Sequence, residues 1–262
     1  MSEAPKPLLA ADEPAPVTFY NPGGASPLLL VADHAGNRMP RVLGRLGIAE
    51  AECERHIAWD VGIAGLGRLL ADALGATLIQ QNYSRLVIDC NRPPGSAASI
   101  PEISELTRIP GNVGLSEAQK VARAREIFWP YHGRIEAELE RRRQSGRRGA
   151  LIALHSFTPV FKGEARSWHA ALLYNRDRRL ARSLLALLKE EQGLIVGDNE
   201  PYFVSDATDY TIPVHGERRG LPHALIEIRQ DLIAEENGQR RWADLLARLL
   251  PQAYRELSTA ID

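Results

Sequence analysis

The stretch Ala224-Leu-Ile-Glu-Ile-Arg-Gln-Asp231 places one carboxylate, Glu227, inside an apolar run just ahead of Arg229. The run has strand length and reads as a buried strand. A carboxylate between Ile226 and Ile228 is costly to bury unless something compensates it. Alternate residues of a strand share a face, so Glu227 and Arg229 point the same way. That suits a structural ion pair and a reactive site equally. Two other apolar runs also end in polar chemistry: Leu28–Ala32 runs into Asp33-His34, and Ala150–Leu154 into His155. Histidines at two strand ends and an acid within a third suggest a metal site with a general base.

Further apolar runs of strand length are Ala76–Ile79, Leu86–Ile88, Ala170–Leu173 and Leu194–Val196. Helical spacing lies between them. Ile63–Leu74 stops before Gly75, a fitting C-terminal signal. Ser116 with Gln119 predicts a capping box. It opens a long helix that Pro130 should kink and that ends near Gly146. Arg178–Gln192 and Trp242–Leu257 complete the set, the latter interrupted by Pro251. Alternation of this kind predicts an α/β fold: one three-layer sandwich, with a mixed, mostly parallel sheet and helices on both faces. Residues 1–17, Ala/Pro-rich, are expected to be a disordered tail, and residues 18–262 one domain. Pro93–Gly114 is rich in Pro, Gly and Ser. A loop of that length in a compact domain is often functional, and it follows Asp89-Cys-Asn-Arg92 directly.

The chain has 262 residues, 44% hydrophobic and 25% charged, with a net charge of -1. That balance is ordinary for a globular enzyme and gives no field to favour nucleic acid or a membrane surface. The arginines of Arg141–Arg148 read as a solvated helix end. Two cysteines, Cys53 and Cys90, make neither a disulfide framework nor a thiolate zinc site, and suit a reducing cytoplasm. No basic segment followed by an apolar one marks a signal peptide, and the apolar runs are too short to span a bilayer.

In open α/β sheets the carboxyl ends of strands border the ligand crevice. His34 and His155 both sit there, and neutral imidazoles ligate zinc. Arg85 and Arg92 could clamp a carboxylate, with Asn91 as a neutral donor. Asp89 reads better as the ion-pair partner of an arginine. Glu227 could take a proton from water and pass it to a leaving amine. Arg229 either contacts substrate or neutralises Glu227. The turn-rich segment Asp209–His215 could carry His215 over the site.

Four segments recur in a recognisable order: His34-Ala-Gly-Asn, Ser84-Arg-Leu-Val-Ile-Asp-Cys-Asn-Arg-Pro-Pro, Leu154-His-Ser and Ile226-Glu-Ile-Arg-Gln-Asp-Leu. They resemble the N-formylglutamate amidohydrolase family, from about Tyr20 to Leu257. Asp-x-Asn-Arg-Pro and Glu-x-Arg-Gln-Asp are the most specific parts. More distantly the order is similar to zinc carboxypeptidases and the aspartoacylase/succinylglutamate desuccinylase group. The resemblance implies a zinc carboxypeptidase-like fold, a bound Zn2+ on His34 and His155, a substrate clamp at Asn91-Arg92, and Glu227 as catalytic base. It implies hydrolysis of N-formyl-L-glutamate to formate and glutamate, a step of amino-acid (histidine) degradation. One position departs from the related pattern. The residue three after His34 is Asn37, not Glu, and an amide oxygen is the poorer zinc ligand. Asp60, from Trp59-Asp-Val-Gly, is the candidate third ligand, with Asn37 its rival. The alternatives are a deacylase or peptidase for another N-acyl amino acid, and a carboxylate-binding protein that has lost the metal.

Overall fold

The computed structural model describes residues 7–147 and 149–259. Seven strands make the main sheet: β1 (Val17–Tyr20), β2 (Leu28–Ala32), β3 (Thr77–Gln81), β4 (Ala150–Phe157), β5 (Ala170–Leu173), β6 (Val196–Asp198) and β7 (His223–Arg229). Their order is β1-β3-β2-β4-β7-β5-β6. The β3–β2, β2–β4, β4–β7 and β5–β6 pairs are parallel; β1–β3 and β7–β5 are antiparallel. The sheet is therefore mixed and mostly parallel, as the alternation of runs predicts. Short antiparallel pairs, Ile103–Ser104 with Thr107–Arg108 and Val160–Phe161 with Glu164–Ala165, lie outside it.

Side-chain alternation divides the core. Leu28, Leu30, Ile152, Leu154, Ala224 and Ile226 face one layer. That layer is α1 (Ile63–Leu74), α4 (Arg179–Glu190) and α5 (Glu236–Thr259). Leu29, Val31, Leu151, Ala153 and Leu225 face the other, where α2 (Glu117–Arg123) leads into α3 (Trp129–Gln144). Central strands buried on both faces read as continuous apolar runs for this reason. No helix among the described residues is long and apolar enough to cross a membrane.

The capping box at Ser116 and Gln119 is present. Between α2 and α3 the helix widens to a π turn over Ala124–Phe128 instead of breaking. Pro130 explains this, because its ring clashes with the carbonyl four residues back. The final helix begins at Glu236, before the expected Trp242.

Leu86–Ile88 is buried but is not a strand. Its carbonyls are taken by side chains: Asn112 Nδ2 donates to Leu86 O and Arg123 Nη1 to Val87 O. Burial without a ladder is tolerated when such donors are supplied from afar, and no local pattern announces them. Of the expected tail, residues 1–6 lie outside the described residues. Residues 7–16 carry no regular element yet touch the domain: Leu8 is buried, Leu9 N donates to Glu126, and Pro14 O accepts from Tyr83 Oη.

Candidate active site

Strand parity puts His155 and Glu227 on one face, and the β4–β7 register makes them direct neighbours. On its other side Glu227 meets only the small Ala171. Asp33 and His34 follow the end of β2, next to β4. Asp60 arrives from the turn before α1, where its backbone N–H donates to His34 O at 2.8 Å. Gly62 makes that turn with φ +84, and a Cβ there would lie 2.1 Å from Ile233 O. Only glycine meets both demands.

His34, Asp60 and His155 are all buried, and they offer ligand atoms within 4.8 Å of one another. His155 Nδ1 lies 2.8 Å from Asp60 Oδ2, and His34 Nδ1 3.4 Å from the same oxygen. The far nitrogens are held by other carboxylates. His34 Nε2 is 2.7 Å from Asp89 Oδ1, and His155 Nε2 is 3.0 Å from Asp33 Oδ2. Carboxylates in this position fix the tautomer and ring orientation of metal-binding histidines. Asp33 is itself held by Thr211 Oγ1 at 2.7 Å.

Two observations test whether a cation fits. His34 Nδ1 is buried with no hydrogen-bond partner among the described residues. Asp33, Asp60, Asp89 and Glu227 are all buried around two imidazoles and the guanidinium of Arg85. A divalent ion would use the orphaned nitrogen and replace the protons that these carboxylates favour on His34 and His155. The nitrogen-and-carboxylate donor set suits such an ion.

The same groups shape the titration of the site. Burial alone would raise the Asp60 carboxyl, but His34 and His155 outweigh it and hold it below the usual range. Burial likewise opposes ionisation of Asp89, and Arg85 overcomes it. At Glu227 the balance falls the other way. Burial raises its carboxyl to about 7 against the pull of His155, and its Oε2 meets no donor among the described residues.

These groups line a cleft of about 540 Å³. Arg85, Asn91 and Arg92 line it, as do the aromatic residues Phe157, Phe161, Tyr202 and Phe203. Ile103, Ser104 and Glu105 of the Pro93–Gly114 loop also border it, as its position in the sequence predicts.

A family model described as N-formylglutamate amidohydrolase matches residues 26–234. The chain belongs to the N-formylglutamate amidohydrolase family. An N-formylglutamate deformylase of Pseudomonas putida is 32% identical over 143 residues, 51% of this chain and 52% of that one. The chain thus spans about half the length of this curated relative. A solved gene product of Agrobacterium tumefaciens is 37% identical, covers 97% of this chain and 100% of its own, and has a TM-score of 0.92. The N-formylglutamate amidohydrolase of Ralstonia eutropha JMP134 is 22% identical, covers 92% and 99%, and has a TM-score of 0.68, a likeness of fold.

Within this amidohydrolase-family cleft the geometry brings together His34, Asp60, His155, Glu227, Arg85, Asn91 and Arg92. It separates three other candidates. Asn37 lies apart, its amide 3.3 Å from Glu54 Oε2, bordering a different depression. Asp60, not Asn37, therefore stands with the histidines. His215 does not reach the cleft: it is buried and its Nε2 pairs with His132 Nδ1 at 3.0 Å. The α3 side of the sheet captures it, because His132 offers a lone pair when its Nε2–H donates to Cys90 O. Arg229 pairs with Asp231 and donates to the carbonyls of Arg166 and Trp168, so it braces a loop and does not neutralise Glu227. Asp89 is both the ion-pair partner of Arg85 and a support of His34. Sequence reasoning missed Asp33. Its signal was present, since Asp33 continues the Leu29, Val31 face of β2.

Proposed function

We propose that the protein hydrolyses the amide bond of an N-acyl amino acid, with N-formyl-L-glutamate as substrate and formate and glutamate as products. The observation that carries this reading is Glu227, a carboxyl raised to about 7 by burial, one strand away from His155 in the cleft of the His34–Asp60–His155 cluster. A general base poised near the working pH is the efficient one. His34, Asp60 and His155 would hold a divalent ion, with zinc the choice that fits imidazole and carboxylate donors. Bound there, the ion would polarise the acyl oxygen and make water more acidic.

The chain's own groups do the rest. Glu227 takes a proton from the attacking water as its oxygen bonds to the acyl carbon. It then delivers that proton to the nitrogen as the C–N bond breaks. Arg85, held by Asp60 and Asp89, faces the charge that develops on the acyl oxygen. Arg92, fixed by Asp209 and Thr208 O, receives the α-carboxylate beside Asn91. The free, buried state of Cys53 and Cys90 supports a cytoplasmic setting. The cleft volume favours a second reading, a deacylase for a larger acyl group. Formate release from N-formyl-L-glutamate, compared with hydrolysis of N-acetyl and N-succinyl analogues, tests both. Absence of hydrolysis of all three after zinc addition would defeat the enzyme reading.

A further inference from the structure

An anionic substrate entering this cleft meets four carboxyl groups and two guanidinium groups. Asp60, Glu105, Asp209 and Glu227 line it, against Arg85 and Arg92. Both arginines are already committed, Arg85 to Asp60 and Asp89, Arg92 to Asp209. A substrate with two carboxylates needs a further cation.

We infer that Arg166 is that cation, the anchor for the side-chain carboxylate of an acyl glutamate. Its guanidinium lies 4.6 Å from the ring centre of Phe161 and 4.7 Å from that of Tyr202, two rings of the cleft wall. Its Nη1 is buried with no hydrogen-bond partner among the described residues. A planar guanidinium stacked on aromatic faces keeps its edge donors oriented for a carboxylate. Tyr202 feels the charges of both Glu227 and Arg166, and His56 that of Arg166, which places the guanidinium within electrostatic reach of the cleft. The backbone supports the placement: Arg166 N donates to Pro159 O, and Arg229 Nη1 to Arg166 O. Arg229 is thus a positioning residue for Arg166. An orphaned buried donor is costly, and a ligand oxygen would relieve that cost.

The inference rests on the amide-hydrolase reading for its choice of ligand, so binding and turnover are measured separately. Calorimetric titration of zinc-loaded protein with L-glutamate and L-glutamine compares an anionic with a neutral side chain. Wild type should prefer glutamate. Arg166→Gln should weaken glutamate about tenfold or more and leave glutamine unchanged. Arg166→Lys, which keeps the charge and the stem, should lose less and serves if the first variant does not fold. Equal affinity of the wild type for both ligands, or an equal effect of the substitution on both, overturns the role of Arg166. Formate release by the wild type is scored independently: its absence removes the amidohydrolase reading, while the affinity ratio still decides Arg166.

Discussion

Replacing Glu227 with glutamine should cost activity and gain stability at once. The side chains are nearly isosteric, so packing between His155 and Ala171 is retained. The amide cannot accept the proton of water, and loss of a general base typically costs about 10²–10⁴-fold in rate. Stability moves the other way. Burial raises the carboxyl from 4.5 to about 7, so the folded state holds its proton more tightly than the unfolded chain. Stability is then fully present below about 4.5 and is lost as pH rises through about 7. The shift corresponds to roughly 3 kcal/mol in metal-free protein at pH 8. The amide of the Glu227→Gln variant does not titrate and escapes that loss. A bound divalent ion compensates the carboxylate, so the gain should shrink on metal loading. The assay is formate release at saturating zinc, paired with urea unfolding of chelator-treated wild type and variant at pH 5 and pH 8. The reasoning fails if the variant keeps near wild-type turnover, or if it is less stable than wild type at pH 8.

Three other outcomes are expected. Asp60→Ala should abolish stoichiometric zinc binding and Asn37→Ala should retain it, as read by metal analysis after dialysis; the reverse result would reassign the third ligand. Burial lowers His132 to about 4, and burial with the neighbouring His132 lowers His215 to about 3. Both are bound neutral, so their contribution is complete above about 6.5 and is lost as pH falls toward 4. Urea midpoints should drop across that window, less so in a His132→Asn/His215→Asn double variant. Gly62→Ala should destabilise by about 1–3 kcal/mol through the positive φ and the clash with Ile233 O, and should weaken zinc binding by displacing Asp60. An unchanged melting temperature with unchanged metal content would count against the role of that turn.

Much of this protein is legible in its sequence. The apolar runs at Leu28–Ala32, Ala150–Leu154 and Ala224–Ile228 determine central strands, because a strand buried on both faces must be apolar throughout. Period-two alternation then determines that Glu227 is on the face of Leu225. Placement at strand ends marks His34 and His155. Other outcomes belong to tertiary structure alone. Leu86–Ile88 has the composition of a strand, yet Arg123 and Asn112 supply its hydrogen bonds from elsewhere. Asp60, not Asn37, lies with the two histidines because a backbone hydrogen bond to His34 and the Gly62 turn carry it inward, while Asn37 turns out toward Glu54. Arg229 sits on the expected strand, but its partner is Asp231, and an arginine from an unremarkable loop, Arg166, stacks on Tyr202 of the cleft. Sequence reports the period of a side chain along its own element. Which distant donor or acid that side chain meets depends on loop paths and strand register, and only the folded chain settles those.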